Sequence, residues 1–246
     1  MRVGLSTVVA NTKLIAALRR AFATVADADK AAPMQAYMKS ALPFHGIAAP
    51  LRRRLTAEAV KTHPCKDVRS LADTMRSLWR GARFREERYA AAELARVGVH
   101  RKLLDLSLLP LYEAMIVESA WWDICDDISG GAIGPLLQRW PVALKPVLRR
   151  WAKGDDLWLR RASFLCQRKL KSAFDARLFY ETILPSIGEH VMACEFFLRK
   201  GIGWALRERS YRAPDEVQAF CREYEARLSP LTRREALRVI LKRVRA

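Results

Sequence analysis

Three stretches of this chain bring together residue types that could do chemistry. The first is Trp121-Trp122-Asp123-Ile124-Cys125-Asp126-Asp127-Ile128. On a helix, Trp122 and Asp126 stand one turn apart and share a face, so an indole and a carboxylate would project together into whatever space that face meets. Asp123 and Asp127 mark a second face. An indole face attracts positive charge, and a fixed carboxylate stabilises it. A core has no use for several carboxylates beside two tryptophans, because burying an unpaired charge is costly. The competing reading is that these aspartates cap the helix or pair with some of the many arginines.

The second stretch is Asp155-Asp156-Leu157-Trp158-Leu159-Arg160-Arg161-Ala162. Adjacent arginines on a helix point in different directions, so one can hold a partner carboxylate while the other meets solvent or phosphate. Trp158 reads as core. The third stretch runs from Phe196 to Glu208 and carries Arg199-Lys200-Gly201-Ile202-Gly203-Trp204-Ala205-Leu206-Arg207. Its two glycines permit close approach of backbone or ligand beside Trp204. They do not make a nucleotide loop, since no strand precedes them and the phosphate-binding spacing is missing.

The elements that must position these groups are helices. From Lys13 onward apolar residues recur at helical spacing, punctuated by Pro, Gly and short polar turns, while strand-like alternation is nearly absent. Leu144, Val147, Leu148 and Trp151 follow the helical template, and Leu157, Phe164, Leu165 and Arg168 continue it with a polar end. Thr56 and Asp155 are read as N-caps, and Pro214 with Asp215 as a helix start. On a final helix Leu237, Ile240, Leu241 and Val244 should face the core, leaving Arg234, Arg238 and Lys242 as a basic face that meets either solvent or phosphates. About a dozen helical segments joined by short connections favour a stack of helical pairs with a concave surface, although no strict repeat is legible. Residues 13–246 read as a single domain, and 1–12, whose short apolar run is broken by Asn11, read as an N-terminal extension with no convincing cleavage site.

Charge narrows the partner. The 246 residues hold 44 Lys+Arg against 26 Asp+Glu, a formal net charge of +18. That balance favours a polyanion, and nucleic acid ahead of a membrane, because no apolar stretch approaches a spanning length and the basic residues are spread throughout. The five cysteines are far apart, with no Cys-x-x-Cys pair, and read as buried reduced thiols; the cytoplasm is the default location. His45, His63, His100 and His190 show no ligand spacing, so no metal and no cofactor is expected.

Together these stretches, with the early Tyr37-Met38-Lys39-x-x-x-Pro43-Phe44-x-Gly46-Ile47, resemble the AlkD-type DNA alkylation repair family, in the family's order from about Tyr37 to Arg207. The resemblance implies an all-α, HEAT-like or armadillo-like α-α superhelix with a concave basic DNA-binding surface. It implies a monofunctional DNA glycosylase that releases cationic N3- and N7-alkylpurines, such as 3-methyladenine and 7-methylguanine, in base excision repair. The family's catalytic Asp maps to Asp126, its active-site tryptophans to Trp122 and Trp204, an aromatic of the first helices to Tyr37, and its backbone-contacting Arg to Arg161. Cys125 departs from the apolar residue usual there. The partner implied is double-stranded DNA containing alkylated bases, bound by a nucleoid-associated cytoplasmic monomer, with no membrane or metal involved.

These residue types suit such a reaction. An alkylated purine is already a good leaving group, so the remaining task is to stabilise positive charge growing on the sugar. A carboxylate at Asp126 would do that and orient the water. Other readings stay open: Trp204 as a core residue, Arg161 as an ion pair to Asp123, Asp126 or Asp127, and the whole as a non-catalytic binder of branched or distorted DNA. A scaffold for an acidic protein is more distant. Lyase chemistry is not expected, since Lys200 is the only lysine close to a singled-out motif.

Overall fold

Periodic apolar residues become helices throughout the computed structural model, which describes residues 9–244. No strand occurs among the described residues. Helix α1 (Thr12–Thr24) buries Leu14, Leu18 and Phe22, one residue per turn, and is capped by Asn11, whose side chain accepts from the Leu14 amide at 3.0 Å. The Asn11 amide group also donates to the His63 carbonyl at 3.0 Å, and the Val9 amide donates to Asp73 at 3.0 Å. Residues 9–12 of the expected extension are therefore tied down; 1–8 lie outside the described residues.

The first compact unit runs to Met115 and contains α1, α2 (Ala28–Met38), α3 (Ala49–Thr62), α4 (Val68–Arg80), α5 (Arg85–Glu93) and most of α6 (Leu109–Ser119). Thr56 is no cap: it sits inside α3 and donates to the Arg52 carbonyl at 2.9 Å. The Pro43-Phe44-x-Gly46-Ile47 block has a structural reason. It wraps the fully buried Glu86 carboxylate, which accepts from the amides of His45 (3.0 Å), Gly46 (3.1 Å) and Ile47 (3.2 Å). Gly46 is required there, since it has φ +84° and a Cβ would collide with the Asp27 carbonyl.

The second unit, from Ile116, carries α7 (Trp122–Ile128), α8 (Gly134–Arg139), α9 (Pro141–Lys153), α10 (Leu157–Leu165), α11 (Ala176–Ile183), α12 (Val191–Cys194), α13 (Phe196–Ser210), α14 (Pro214–Glu223) and α15 (Pro230–Val244). A π-helical stretch, Ser129–Ile133, joins α7 to α8 without a break. Helix α10 packs on α7, α9, α11 and α13, and α13 packs on α14 and α15, the neighbour-on-neighbour stacking of an α-α superhelix. Leu144, Leu148 and Trp151 of α9 are buried as the periodicity requires, and α14 starts at Pro214. Two expectations fail by small margins. The cap of α10 is Asp156, one residue later than Asp155, its carboxylate accepting from the Trp158 and Leu159 amides. Leu241 of α15 is exposed beside Arg234, Arg238 and Lys242, whereas Ile240 is buried; Val244 is outside the described side chains. Four of the five free cysteines are buried, and Cys194 is exposed.

Candidate active site

Asp126 occupies the last turn of α7, directly before the π-helical stretch. Such stretches are rare and recur at functional sites. Arg161, from the middle of α10, meets it with both edges of its fork: Nε donates to Oδ1 at 2.7 Å and Nη2 to Oδ2 at 2.8 Å. The remaining nitrogen, Nη1, donates to the Phe197 carbonyl at the start of α13. The pair is largely removed from water, with side-chain exposures of 5% for Arg161 and 11% for Asp126.

Gly201 explains how a guanidinium reaches this position. A Cβ there would collide with Arg161 Nη1 and stand 3.1 Å from its Cζ, so the glycine is the slot through which Arg161 passes along α13. Gly203 does a second job: a Cβ would stand 2.6 Å from Glu235 Cβ and 3.0 Å from the Thr232 carbonyl, so the glycine sets the close approach of α13 and α15. The glycines permit close approach, as their placement suggested, and the groups that approach are protein.

The electrostatics of the pair pull in two directions. Burial pushes the Asp126 carboxyl above its ordinary value, while the hydrogen bonds and charge of Arg161, with Arg168 behind them, work against that rise. Burial, the largest single influence, pulls the Arg161 guanidinium down, but the hydrogen bonds and the charge of Asp126 together outweigh it and leave the guanidinium raised. A guanidinium does not deprotonate in proteins, so Asp126 faces a permanent positive charge. The arrangement is a buried carboxylate held in one orientation, able to stabilise positive charge brought to its exposed side.

Aromatic groups surround it unevenly. Trp122 shares the α7 face of Asp126 and is half-buried. Trp121 instead joins Trp158 and Phe197 in a packed cluster with ring centroids 5.1–6.3 Å apart, which makes it and Trp158 structural. Trp204 lies one turn beyond Gly201 on α13, is half-buried, and rests partly on the core. Its Nε1 donates to Glu208 at 3.2 Å. Its ring carries the guanidinium of Arg168, 3.8 Å from the centroid. Tyr37, at the last turn of α2, belongs to the first unit and is 71% exposed; the other four expected residues all belong to the second.

Arg161 was expected to grip a phosphate. In the structure it is buried and paired with Asp126, the ion pair that its sequence context also allows. Its neighbour Arg160 is largely buried and donates to the carbonyls of Gly154 (2.5 Å), Pro185 (2.8 Å) and Lys153 (3.2 Å). Arg168, by contrast, was not singled out as a site residue. It lies in a 3-10 turn, Cys166–Lys169, past the end of α10, where helical periodicity no longer predicts its direction. Lys200 pairs with Glu235 at 2.9 Å. Among the described residues no group of three or more His, Cys, Asp or Glu could hold a metal ion, and no helix is long and apolar enough to cross a membrane.

Comparison with known proteins places this geometry. Among curated proteins none matches the chain. A solved structure described as a "Predicted DNA alkylation repair enzyme from Enterococcus faecalis" superposes with a TM-score of 0.72 at 29% identity, over 86% of this chain and 95% of that one. The family model for DNA alkylation repair enzymes matches residues 18–240, taking in α7, α10 and α13 with all the residues of the Asp126 site. The chain therefore belongs to the DNA alkylation repair enzyme family.

Proposed function

We propose that the protein is a monofunctional DNA glycosylase that hydrolyses the N-glycosidic bond of cationic N3- and N7-alkylpurines. The observation that carries this reading is the bidentate clamp of Arg161 on Asp126, with Trp122 one turn away on the same helix. Departure of a cationic base needs no protonation, but it leaves growing positive charge on the deoxyribose. Asp126, fixed and largely dry, meets that charge with no reorganisation and orients or deprotonates the attacking water. The base leaves with the bonding electrons as a neutral purine, and water adds at the sugar carbon.

Trp122 offers an indole to the lesion nucleotide on the Asp126 face, worth roughly 0.5 to 2 kcal/mol per cationic contact. The Arg168 guanidinium over the Trp204 ring supports a role for that ring in attracting a cation. Arg161 acts through Asp126 as its positioning residue. Tyr37 is assigned to the DNA contact from the first unit, in keeping with its exposure. No lyase step is proposed, in keeping with the engagement of Lys200 by Glu235.

The deciding experiment measures release of free 7-methylguanine and 3-methyladenine from alkylated duplex DNA by the wild type and Asp126→Asn, with DNA binding followed alongside. Release that collapses in the variant while binding survives supports the assignment. No release by wild type, despite salt-sensitive binding, would sink it in favour of a non-catalytic binder of branched or distorted DNA.

A further inference from the structure

Once Arg161 is committed to Asp126, the strand beside the lesion needs another grip. Next to the Trp204 ring lies a small cleft lined by Arg168, Lys171, Phe174, Glu208, Arg209 and Arg212. We infer that this cleft binds one phosphate group of the DNA strand, with Arg168, Lys171 and Arg212 as its cationic ligands and Trp204 as the platform that holds Arg168 in place. The inference rests on DNA being the substrate, as proposed above.

The charges in the cleft are not equivalent. Arg209 is spoken for: it makes a two-point pair with Glu216 (3.0 and 2.6 Å) and lies over the Phe174 ring at 4.3 Å. Glu208, the single carboxylate of the lining, accepts from Trp204 Nε1. Arg168, Lys171 and Arg212 make no ion pair at contact distance among the described residues, although Arg168 feels the charges of Asp126, Glu208 and Asp127.

Arg168 gives the strongest indication. Its Nε is buried and has no hydrogen-bond partner among the described residues, an arrangement that costs free energy unless an acceptor arrives. Burial lowers its pKa, opposed by the charges of Asp126 and Glu208. The guanidinium Cζ lies 3.8 Å from the Trp204 ring centroid, a contact that holds the cation beside the cleft.

The test uses the full-length protein and a duplex holding a tetrahydrofuran abasic analogue, with neutral methylphosphonates placed one at a time along both strands. Wild type should lose roughly tenfold affinity at one position. The Lys171→Gln/Arg212→Gln variant, which leaves the Arg168–Trp204 stack alone, should lose nothing further there, and its log K against log salt slope should be shallower by about 1. Arg168→Gln should behave likewise. A variant with the wild-type slope and the wild-type methylphosphonate profile overturns the inference, provided thermal melting shows it folded. Should wild type fail to bind the duplex, inorganic phosphate is titrated against the Arg168 Nε–H resonance. A shift lost in the double variant would uphold an oxyanion cleft while the DNA reading falls, and no shift would overturn both.

Discussion

Replacing Arg161 by glutamine separates its two possible roles. The side chain makes two charge-assisted hydrogen bonds to Asp126 at 2.7 and 2.8 Å and a third to the Phe197 carbonyl, almost entirely out of water. Removing one partner of such a buried pair costs about 3–5 kcal/mol, because the other charge is stranded. For a chain of this length that lowers the melting temperature by about 6–20 °C, at roughly 2–4 °C per kcal/mol, so the variant should remain folded at 25 °C. Asp126 then loses the clamp that orients it, and misplacement of a reacting group by an ångström can cost about 100-fold in rate. The expected result in single-turnover release of 7-methylguanine at saturating DNA is a loss of about that size, with the salt slope of binding unchanged. Arg161→Lys should recover stability in part but not the rate, since an ammonium lacks the fork. The opposite pattern, a slope reduced by about 1 and a single-turnover rate near wild type, would show that Arg161 grips a phosphate after all.

Other outcomes follow from the same geometry. Because burial raises the Asp126 carboxyl, the release rate should fall on the acid side with a midpoint above the ordinary aspartate value, and Arg161→Gln should move that midpoint higher still. The sign for stability is the reverse of a paired surface aspartate: the folded state holds this proton more tightly, so the contribution is present at low pH and lost as pH rises through the folded value, which thermal melts of wild type and Asp126→Asn would compare. Gly201→Ala places a methyl against Arg161 and should cost about 1–3 kcal/mol in stability along with part of the rate, read by denaturant melts and base release. Glu86→Ala strands three buried amides, each worth about 1–3 kcal/mol, and should unfold or strongly destabilise the first unit, seen by hydrogen exchange over residues 44–47.

What the sequence made legible is what depends on local spacing. One-turn separation puts Trp122 and Asp126 on a face whatever packs against it, and apolar residues at helical intervals bury Leu144, Leu148 and Trp151 without regard to distant chain. What stayed hidden depends on partners far away in sequence. That Arg161 reaches the Asp126 carboxylate depends on Gly201 and Phe197, 36–40 residues on. Glu86 sits in Arg85-Glu86-Glu87-Arg88, a run with the composition of a solvated surface, yet Glu86 and Glu87 are buried because a turn and an arginine from elsewhere close over them. The choice between Asp155 and Asp156 as the cap is a matter of one residue between like side chains, and only the dihedral of the true cap separates them.

Net charge is the property most easily misread. A formal +18 suggests a protein studded with free cations, but the structure engages many of them internally. Arg52 is buried against Glu93, Arg19 pairs with Glu87, Arg149 with Glu181, Arg207 with Glu235 and Arg209 with Glu216. Arg160 is held by three carbonyls, and Arg161 by Asp126. Counterion release counts the phosphates neutralised, not the arginines in the sequence. The salt dependence of DNA binding should therefore be set by a small number of groups such as Arg168, Lys171 and Arg212, so that deleting two of them changes the slope visibly where deleting two internally paired arginines changes stability instead.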